Sequence, residues 1–464
     1  MSSCRLEFNN VVRDDFASGN MGQPNSVEID QQKLSIVLRN DNHDNSLTNT
    51  PKWRNWWYVK LENVANDVDY QVEIKDTFSA LNPGWSFPYT PLFSYDNLHW
   101  QRFSGQQIQS SLVTDNAQRS VFTTQVSKVF TRPTVWLARF YPYTKQTFDD
   151  YYQVLLNQFP ELADDGFFER QTIGLSPVGK QPIEMITVTD PSYPAASKKR
   201  IWIQARSHAA ETSSSFVIEG ILDWLAERGN ADENTALKHF IFNIVPMHNV
   251  DGIRAGNYRL NRRSENLENT WLREPSNPMK LSKNSPVENQ VLNKKMRELS
   301  QSSAPFFMAL NLHGTQTAPN EPAFFFPHFG TQAQGYNSVQ EKLWRNSLHY
   351  IDQVRQFYGK ANGKWLIKPN PTEGGTTFVE DSYPESWWWA NFKSNVTALT
   401  LETTYEHSGF EPEYITPERL RRLGASLMQG ILAFDNRLSG FAQKIKMDTS
   451  RSVTEYPSER DMKK

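Results

Sequence analysis

The sequence predicts an α/β domain with a mixed, mostly parallel sheet and flanking helices, preceded by an antiparallel β-sandwich domain. Short runs of alternating apolar and polar residues, separated by turn-forming residues, fill positions 1 to about 140. Such runs are typical of strands with one buried face. After position 143, nearly continuous apolar runs alternate with stretches of helical spacing, which indicates buried strands joined by helices. The length of 464 residues exceeds one ordinary core, so two domains are expected.

The N-terminal domain is predicted to span residues 1–143. Aromatic and β-branched residues alternate with polar ones at 56–61, 69–74 and 134–140, which predicts a strand at each place. Clusters of Pro, Gly, Asn and Asp lie between the runs, as at 82–84.

The second domain is predicted to span residues 144–446 and to be followed by a loose polar tail at 447–464. The predicted strands lie at 183–188, 200–205, 240–246, 306–312 and 396–401, and the predicted helices lie at 147–159, 212–226 and 416–445. Strands that alternate with helices in this way form parallel or mixed sheets.

Composition excludes several classes of partner. The net charge is -2 with both signs abundant, so neither a nucleic-acid surface nor a polybasic membrane patch is expected. No apolar run approaches 18 residues, and the first residues lack the basic and apolar regions of a signal peptide. The single cysteine, Cys4, forms no internal disulfide, which favours a reducing compartment. We therefore expect a cytoplasmic protein that binds neither nucleic acid nor membrane, and the sequence leaves its oligomeric state open.

Two candidate metal ligands follow the predicted strand 200–205. His208 and Glu211 are three residues apart in the turn before a helix, so both side chains can face one point. The strand 306–312 runs directly into His313, the candidate third ligand. Open α/β sheets bind ligands at the carboxyl ends of their strands. Two imidazoles, one carboxylate and a water form the open tetrahedral site of a catalytic zinc, so we predict one Zn²⁺ ion.

The joint placement of these residues is what favours a site. An isolated His-x-x-Glu is usually not a metal motif, and a histidine at a strand end is usually a surface or packing residue. Here both motifs stand at the carboxyl ends of strands in one domain, and a further apolar strand, 396–401, is followed by Glu402. A solvated residue would be unusual there, so Glu402 is the candidate catalytic carboxylate.

Five segments carry a family resemblance. They are Ala-Arg-Ser-His-Ala-Ala-Glu-Thr at 205–212, Val-Pro-Met-His-Asn-Val-Asp-Gly at 245–252, Gly-Asn-Tyr-Arg at 256–259, Asn-Leu-His-Gly at 311–314 and Thr-Leu-Glu at 400–402. Together they resemble the zinc metallocarboxypeptidases, the carboxypeptidase A family, and most closely the cytosolic carboxypeptidase-like branch. Val250 stands where that branch has proline. The branch also places a β-sandwich before the peptidase domain, joined near a Tyr-Pro-Tyr-Thr like that at 141–144, so the resemblance covers almost the whole chain.

The resemblance implies a metallocarboxypeptidase-like fold and zinc-dependent hydrolysis of an amide bond. Glu402 would act as the general base, and Arg259 would stabilise the oxyanion with its fixed guanidinium donors. Arg206 would lie near the substrate path. Tyr383 is the nearest candidate for the family's tyrosine on a mobile loop. The implied substrate is a peptide or protein C-terminal tail, or another amide.

One phrase departs from the family. The branch reads the substrate carboxylate with the Asn-Arg of Gly-Val-(Asp/Asn)-Leu-Asn-Arg-x-Trp, and Leu267 and Trp271 align residues 264–271 with that phrase. Glu268 and Asn269 then occupy the Asn-Arg positions. Arginine binds a carboxylate through two charge-assisted hydrogen bonds, whereas glutamate repels it and asparagine offers only neutral donors.

Three interpretations of this departure remain open. Arg262 or Arg263 restores the anchor for a carboxylate; or Glu268 recognises a positive group on the substrate; or the protein is a related zinc amidase or deacylase that needs no free carboxylate. A fourth possibility is a catalytically idle zinc protein that recognises a partner. The presence of Glu402 and Arg259 beside the three ligands opposes that last interpretation.

Overall fold

The computed structural model describes most of the chain. The predicted tail at 447–464 and the end of the predicted helix 416–445 lie outside the described residues. The described residues are 12–22, 28–30, 32–43, 53–79, 88–114, 116, 119–229, 235–315, 323–326, 338–358, 366–367, 382–406 and 414–435.

Within those ranges, the N-terminal region consists of two sheets. The strands are β1 Val12–Arg13, β2 Glu28–Asp30, β3 Lys33–Val37, β4 Tyr58–Glu62, β5 Asp69–Ser79, β6 Leu92–Ser94, β7 Trp100–Arg102, β8 Ile108–Thr114, β9 Arg119–Val129 and β10 Thr134–Ala138. One sheet has the order β1-β4-β10-β6-β7 and the other β2-β3-β5-β9-β8. The predicted antiparallel architecture is confirmed, except that β3 and β5 pair in parallel.

The run 56–61, which leads into β4, serves two cores. Trp57, Val59 and Leu61 are buried in the apolar core between the two N-terminal sheets. Trp56 and Tyr58 alternate with them and belong to the core of the second region. Because successive side chains of a strand point to opposite faces, this sheet is covered on both sides.

The second region is built on one large mixed sheet and also contains a separate two-stranded antiparallel sheet. Its elements are α1 Lys145–Gln158, α2 Pro160–Asp164, β11 Phe168–Leu175, β12 Pro182–Val188, β13 Lys199–Ala205, α3 Ser213–Gly229, α4 Thr235–His239, β14 Phe240–Val245, α5 Val250–Arg254, β15 Arg273–Glu274, β16 Asn277–Leu281, α6 Val287–Ser300, β17 Phe306–Thr315, β18 Phe324–Phe326, α7 Ser338–Tyr358, β19 Leu366–Ile367, α8 Pro384–Phe392, β20 Thr397–Thr404 and α9 Pro417–Phe434. No helix among the described residues is both long and apolar enough to cross a membrane.

The order of the main sheet is β11-β12-β14-β13-β17-β20-β18-β19. β14, β13, β17 and β20 run parallel to one another, as do β18 and β19, while the remaining pairs are antiparallel. The predicted mixed, mostly parallel sheet is thus confirmed. All six residues of β14 are buried, as expected for a central strand covered on both faces.

The central strands β13, β17 and β20 position the candidate site. Ala205 at the end of β13 lies opposite Leu312 of β17, and His313 lies opposite Glu402 of β20. Neighbouring parallel strands end at the same edge, so the residues predicted from three separate strand ends meet there.

Candidate metal centre

Three side chains converge at this edge of the main sheet. The Nδ1 atom of His208 lies 2.8 Å from Oε1 of Glu211, and Nδ1 of His313 lies 2.7 Å from Oε2 of the same carboxylate. The two Nδ1 atoms are 3.1 Å apart. All three side chains are buried, and among the described residues they form the only such group whose ligand atoms lie within 4.8 Å of one another.

Local backbone contacts hold this arrangement. Glu211 sits at the end of the turn that precedes α3, and the carbonyl of His208 accepts a hydrogen bond from the Glu211 N–H. The Gly314 N–H donates to Oε2 of Glu211 at 3.1 Å, which ties the turn to β17. A Cβ atom at position 314 would lie 2.2 Å from Oγ of Ser213, so glycine permits this close approach.

The phrase that departs from the family lies behind the two histidines. Nε2 of His208 lies 3.1 Å from Oδ1 of Asn266, and Nε2 of His313 lies 3.0 Å from Oε2 of Glu268. Both partners are acceptors, so each Nε2 can donate to them, and each Nδ1 would offer its lone pair to a bound metal ion. Residues 266 and 268 therefore orient both rings.

The two histidines differ in their electrostatic environment. Burial, and then the charge of Arg259, lower the pKa of His208. Burial acts in the same direction on His313, but the carboxylates of Glu268 and Glu211 outweigh it and hold the pKa of His313 well above its ordinary value. Burial opposes the charge on Glu268, yet His313 lowers the pKa of Glu268 to about 2. Glu268 therefore remains an ionised acceptor for His313.

Glu268 belongs to a buried polar cluster below His313. The amide of Asn311, two residues before His313 on the same face of β17, donates to Oε1 of Glu268 at 2.9 Å. The same amide lies 3.2 Å from Oε1 of Glu385, which also accepts from Thr400 at 2.7 Å. Asn311 thus holds Glu268 against the histidine.

Glu402 lies on β20 beside His313. Its Oε2 atom is buried and has no hydrogen-bond partner among the described residues. Burial, and then the negative charge of Glu211, raise the pKa of Glu402 to about 8. A buried carboxylate oxygen without a hydrogen-bond partner can take up a proton, which is the property that a general base needs.

Arg259 lies at the end of the segment 256–259. Its Cζ atom is 4.4 Å from the centre of the Trp53 ring, which comes from the N-terminal region. The charge of Arg259 lowers the pKa of both His208 and Glu402, so the guanidinium acts on the same site. Its buried Nε makes no hydrogen bond to the described residues.

Arg206 lies buried beside the turn that carries His208. It is 1% exposed, and its guanidinium donates to the carbonyls of Ala209 and Tyr143 and to Oγ of Ser215. Its φ of 61° turns the chain at the end of β13. In this enclosed position the side chain supports the turn that holds His208.

The remaining candidates lie around residues 264–271. Tyr383 is half-buried and precedes α8, and the carbonyl of its neighbour Ser382 accepts a 2.7 Å hydrogen bond from the Trp271 N–H.

Asn269 is exposed, as are Arg262 and Arg263. Three side chains with hydrogen-bond donors are therefore exposed on one stretch of chain.

Sequence reasoning missed the roles of several residues. Asn266 stands at the (Asp/Asn) position of the family phrase, and that match was a usable signal. Asn311 lies two residues before His313 on the same strand, which places both side chains on one face. Trp53 lies about two hundred residues before Arg259 along the chain, and no local pattern links them.

Comparisons with known proteins give a consistent picture. The family model described as zinc carboxypeptidase matches residues 156–422, and the model described as cytosolic carboxypeptidase N-terminal domain matches residues 12–140. Human cytosolic carboxypeptidase 2 is 28% identical over 255 residues, which cover 53% of this chain and 27% of that protein. Mouse cytosolic carboxypeptidase 6 is 28% identical over 306 residues, covering 65% of this chain and 52% of that protein. The match thus spans from about a quarter to about half of the length of these relatives.

Solved structures share the fold along nearly the whole chain. A metallo-carboxypeptidase from Burkholderia cenocepacia has a TM-score of 0.67 at 19% identity and covers 92% of this chain and 98% of its own. A metallo-carboxypeptidase from Pseudomonas aeruginosa has a TM-score of 0.66 at 20% identity, covering 91% and 98%. At this identity the likeness establishes the fold alone.

Proposed function

This chain belongs to the zinc carboxypeptidase family, and we propose that it is a zinc-dependent hydrolase that removes a C-terminal residue from a peptide or protein tail. The observation that carries the proposal is the convergence of His208, Glu211 and His313, with ligand atoms within 4.8 Å of one another. The carboxylate of Glu402, which lies opposite His313 on the neighbouring strand, supports a hydrolytic role over simple metal storage.

The donor set fits one zinc ion. Two imidazoles and one carboxylate are the protein ligands of many catalytic zinc sites. The separations of 2.7 to 3.1 Å are close to the roughly 3.3 Å expected between ligand atoms of a tetrahedral ion with bonds of about 2.0–2.1 Å. When bound, zinc polarises the scissile carbonyl and makes a water acidic near neutral pH.

The chain's own residues would divide the remaining work. Glu402 takes the proton of the attacking water and returns it to the leaving amine. Arg259 directs its guanidinium donors to the oxygen on which negative charge develops. Asn266 and Glu268 keep the two imidazoles in the tautomer that leaves Nδ1 free. Tyr383 remains a candidate substrate contact on the strength of the family resemblance.

For the substrate terminus, we favour an anchor on the exposed arginines. The Glu268 carboxylate is engaged by His313 and Asn311, which weakens the interpretation that it reads a cationic substrate. Arg262 and Arg263 are exposed a few residues before it, and exposed Asn269 adds a neutral donor. A free C-terminal carboxylate is the group that such a set would bind. The alternative is a zinc amidase or deacylase that needs no free carboxylate.

Three further proposals follow from the sequence and the relatives. The relatives named above are cytosolic carboxypeptidases, and we infer a cytoplasmic location for this chain. The N-terminal sheets at 1–143 and the region at 144–446 are proposed as two domains. The balanced charge favours a peptide partner over a nucleic acid or a membrane.

A cleavage panel with zinc-loaded protein tests the function. The substrates are matched peptides with free, amidated and cationic C-termini, and the products are followed by mass spectrometry. We expect release of single residues from the free-carboxylate peptides and little turnover of the amidated ones. The matched control is Glu402→Gln, which removes the base and keeps the shape. It is expected to lower kcat by about 10²- to 10⁴-fold while zinc stays bound.

Each other outcome has a definite meaning. Equal cleavage of free and amidated peptides would favour the amidase. Preference for cationic termini would return Glu268 to substrate recognition. Zinc binding without cleavage of any peptide would favour the partner-binding alternative, and full turnover by Glu402→Gln would require another base.

A further inference from the structure

The loop 253–261, which includes the last two residues of α5 and carries Arg259, is held by a carboxylate from the N-terminal region. Oδ1 of Asp41 accepts a hydrogen bond from the Tyr258 N–H at 2.6 Å. Oδ2 accepts from the N–H groups of Arg259 and Leu260 at 2.8 and 2.6 Å. Asp41 is buried, and one carboxylate thus fixes three consecutive peptide groups.

The ring of Trp53, also from the N-terminal region, holds the Arg259 side chain of this loop. Trp53 packs against the Arg259 guanidinium at 4.4 Å, a cation–π distance. The Asp41 N–H donates to the carbonyl of Trp53 at 3.0 Å, so carboxylate and ring form one local unit. Next to them, the Asn42 side chain donates to the carbonyl of Asn261 at 2.9 Å.

A second N-terminal segment, residues 18–20, forms hydrogen bonds with the start of the same loop. Oγ of Ser18 donates to the carbonyl of Ile253 at 2.7 Å, and Nδ2 of Asn20 donates to the carbonyl of Gly256 at 3.0 Å. Gly256 has a φ of 66°, and a Cβ atom there would lie 2.3 Å from the carbonyl oxygen of Gly19. The close approach of the two regions therefore requires glycine.

The clamped loop also touches the metal ligands' own turn. The carbonyl of Tyr258 accepts a 2.9 Å hydrogen bond from the Ala210 N–H, between His208 and Glu211. A displacement of the loop would thus move Arg259 relative to the ligands. Among the described residues, the N–H groups of Tyr258, Arg259 and Leu260 donate to Asp41 and to no acceptor in the second region.

We propose that Asp41 and Trp53 are positioning residues of the active site, through which the N-terminal sheets fix the loop 253–261 and aim the Arg259 guanidinium at the scissile bond. The consequence for catalysis rests on the proposed function. The contacts by which Asp41 and Trp53 hold the loop, called the clamp below, do not depend on that function. The N-terminal region is then a component of the hydrolytic site and not an appended binding module.

The first test measures the clamp without any substrate. In Asp41→Asn one of the two oxygens becomes an NH₂ group that faces backbone N–H donors, so at least one of the hydrogen bonds is lost. Amide hydrogen exchange of the zinc-loaded full chain should speed up by about tenfold or more at residues 258–260. The control is Glu73→Gln on β5, which removes a carboxylate bonded to Lys33, Lys75 and Ser35 and should leave that exchange unchanged.

The second test measures, through kcat/KM, whether Asp41 and Trp53 act on catalysis by positioning Arg259. Asp41→Asn and Trp53→Leu should each lower kcat/KM by about 10- to 100-fold on a free-carboxylate peptide, with the loss mainly in kcat, while zinc affinity is retained. Trp53→Phe keeps an aromatic face and should recover most of the activity. In an Arg259→Ala background, the effect of Asp41→Asn should shrink to less than about threefold, because both act through one guanidinium.

Several results would overturn the proposal. They are unchanged exchange at 258–260, the same loss in Glu73→Gln, or an Asp41→Asn effect that multiplies fully with Arg259→Ala. If Asp41→Asn does not fold, Trp53→Leu decides, since full activity in that variant would remove Trp53 from the proposal. A wild-type chain that cleaves no peptide would defeat the proposed function, and the exchange result would still decide whether Asp41 holds the loop.

Discussion

Two neighbouring parts of the second region differ in how closely they match the sequence pattern of the family. At the carboxyl ends of β13, β17 and β20, the side chains of His208, Glu211, His313 and Glu402 all match the family pattern. The phrase 264–271 lies against the same site, yet it lacks the Asn-Arg pair that would read a substrate carboxylate. One region thus has the residues of the family pattern, while the other departs from that pattern.

The difference follows from what each region must do. A zinc ion accepts few donor types at fixed distances, so its ligands cannot vary without loss of the ion. A peptide end can be held by any suitable set of donors on a nearby loop, so its contacts can move. In this chain Glu268 faces the ligand His313, and the exposed cations lie at 262 and 263. The segment 264–271 therefore supports the candidate metal site through the contact of Glu268 with His313.

The largest expected effect comes from the ligand region. His208→Ala removes one imidazole from the cluster, so stoichiometric zinc should be lost and hydrolysis should fall by about 10³-fold or more. Metal analysis after zinc reconstitution and dialysis provides the measurement. His248→Gln is the matched control, because His248 is buried nearby with its Nδ1 at 3.1 Å from Oγ of Ser207 and lies outside the cluster.

That control sharpens the comparison. His248→Gln should keep one zinc per chain. If His208→Ala bound zinc as well as the wild type does, the convergence of the three side chains would not be the metal site, and both regions would need a new interpretation.

The convergence of the candidate ligands could be predicted because the sequence shows where buried strands end. An apolar run that is followed by a histidine or a glutamate indicates both the strand and the place of that side chain at the edge of the sheet, as at His313 and Glu402. The direction that a long side chain takes after a turn cannot be predicted in this way. Arg206 folds back onto Ala209 and also donates to the carbonyl of Tyr143, and Glu268 turns to His313. The contacts with Tyr143 and His313 join residues far apart in sequence. Asp41 reaches Arg259 across more than two hundred residues, and no periodicity encodes that contact.

A smaller effect is expected where the two regions meet. Glu268→Gln keeps an acceptor for the N–H of His313 but removes the charge, so zinc affinity should fall by about 10- to 100-fold. Competition with a chelator of known affinity gives the value. Glu265→Gln is the control on the same phrase, since Glu265 accepts from Asn261 at 2.8 Å and should leave zinc affinity unchanged.

The same variant can break the comparison. If Glu268 serves the substrate, Glu268→Gln would alter the preference among free, amidated and cationic peptide ends and leave zinc affinity as it was. The region 264–271 would then be a specificity pocket of a new kind, and the support of His313 would be incidental.

The smallest effect is expected from restoring one family residue. Asn269→Arg returns a guanidinium to the position that the family uses, but this position is exposed, and exposed ion pairs contribute little. We expect KM for free-carboxylate peptides to fall by about three- to tenfold with kcat nearly unchanged, and amidated peptides to gain nothing. Asn269→Lys supplies the charge without two parallel N–H donors and should gain less. An equal gain for amidated peptides would mean that position 269 does not face the substrate carboxylate, and the departure of this phrase would then extend to its backbone path as well as to its side chains.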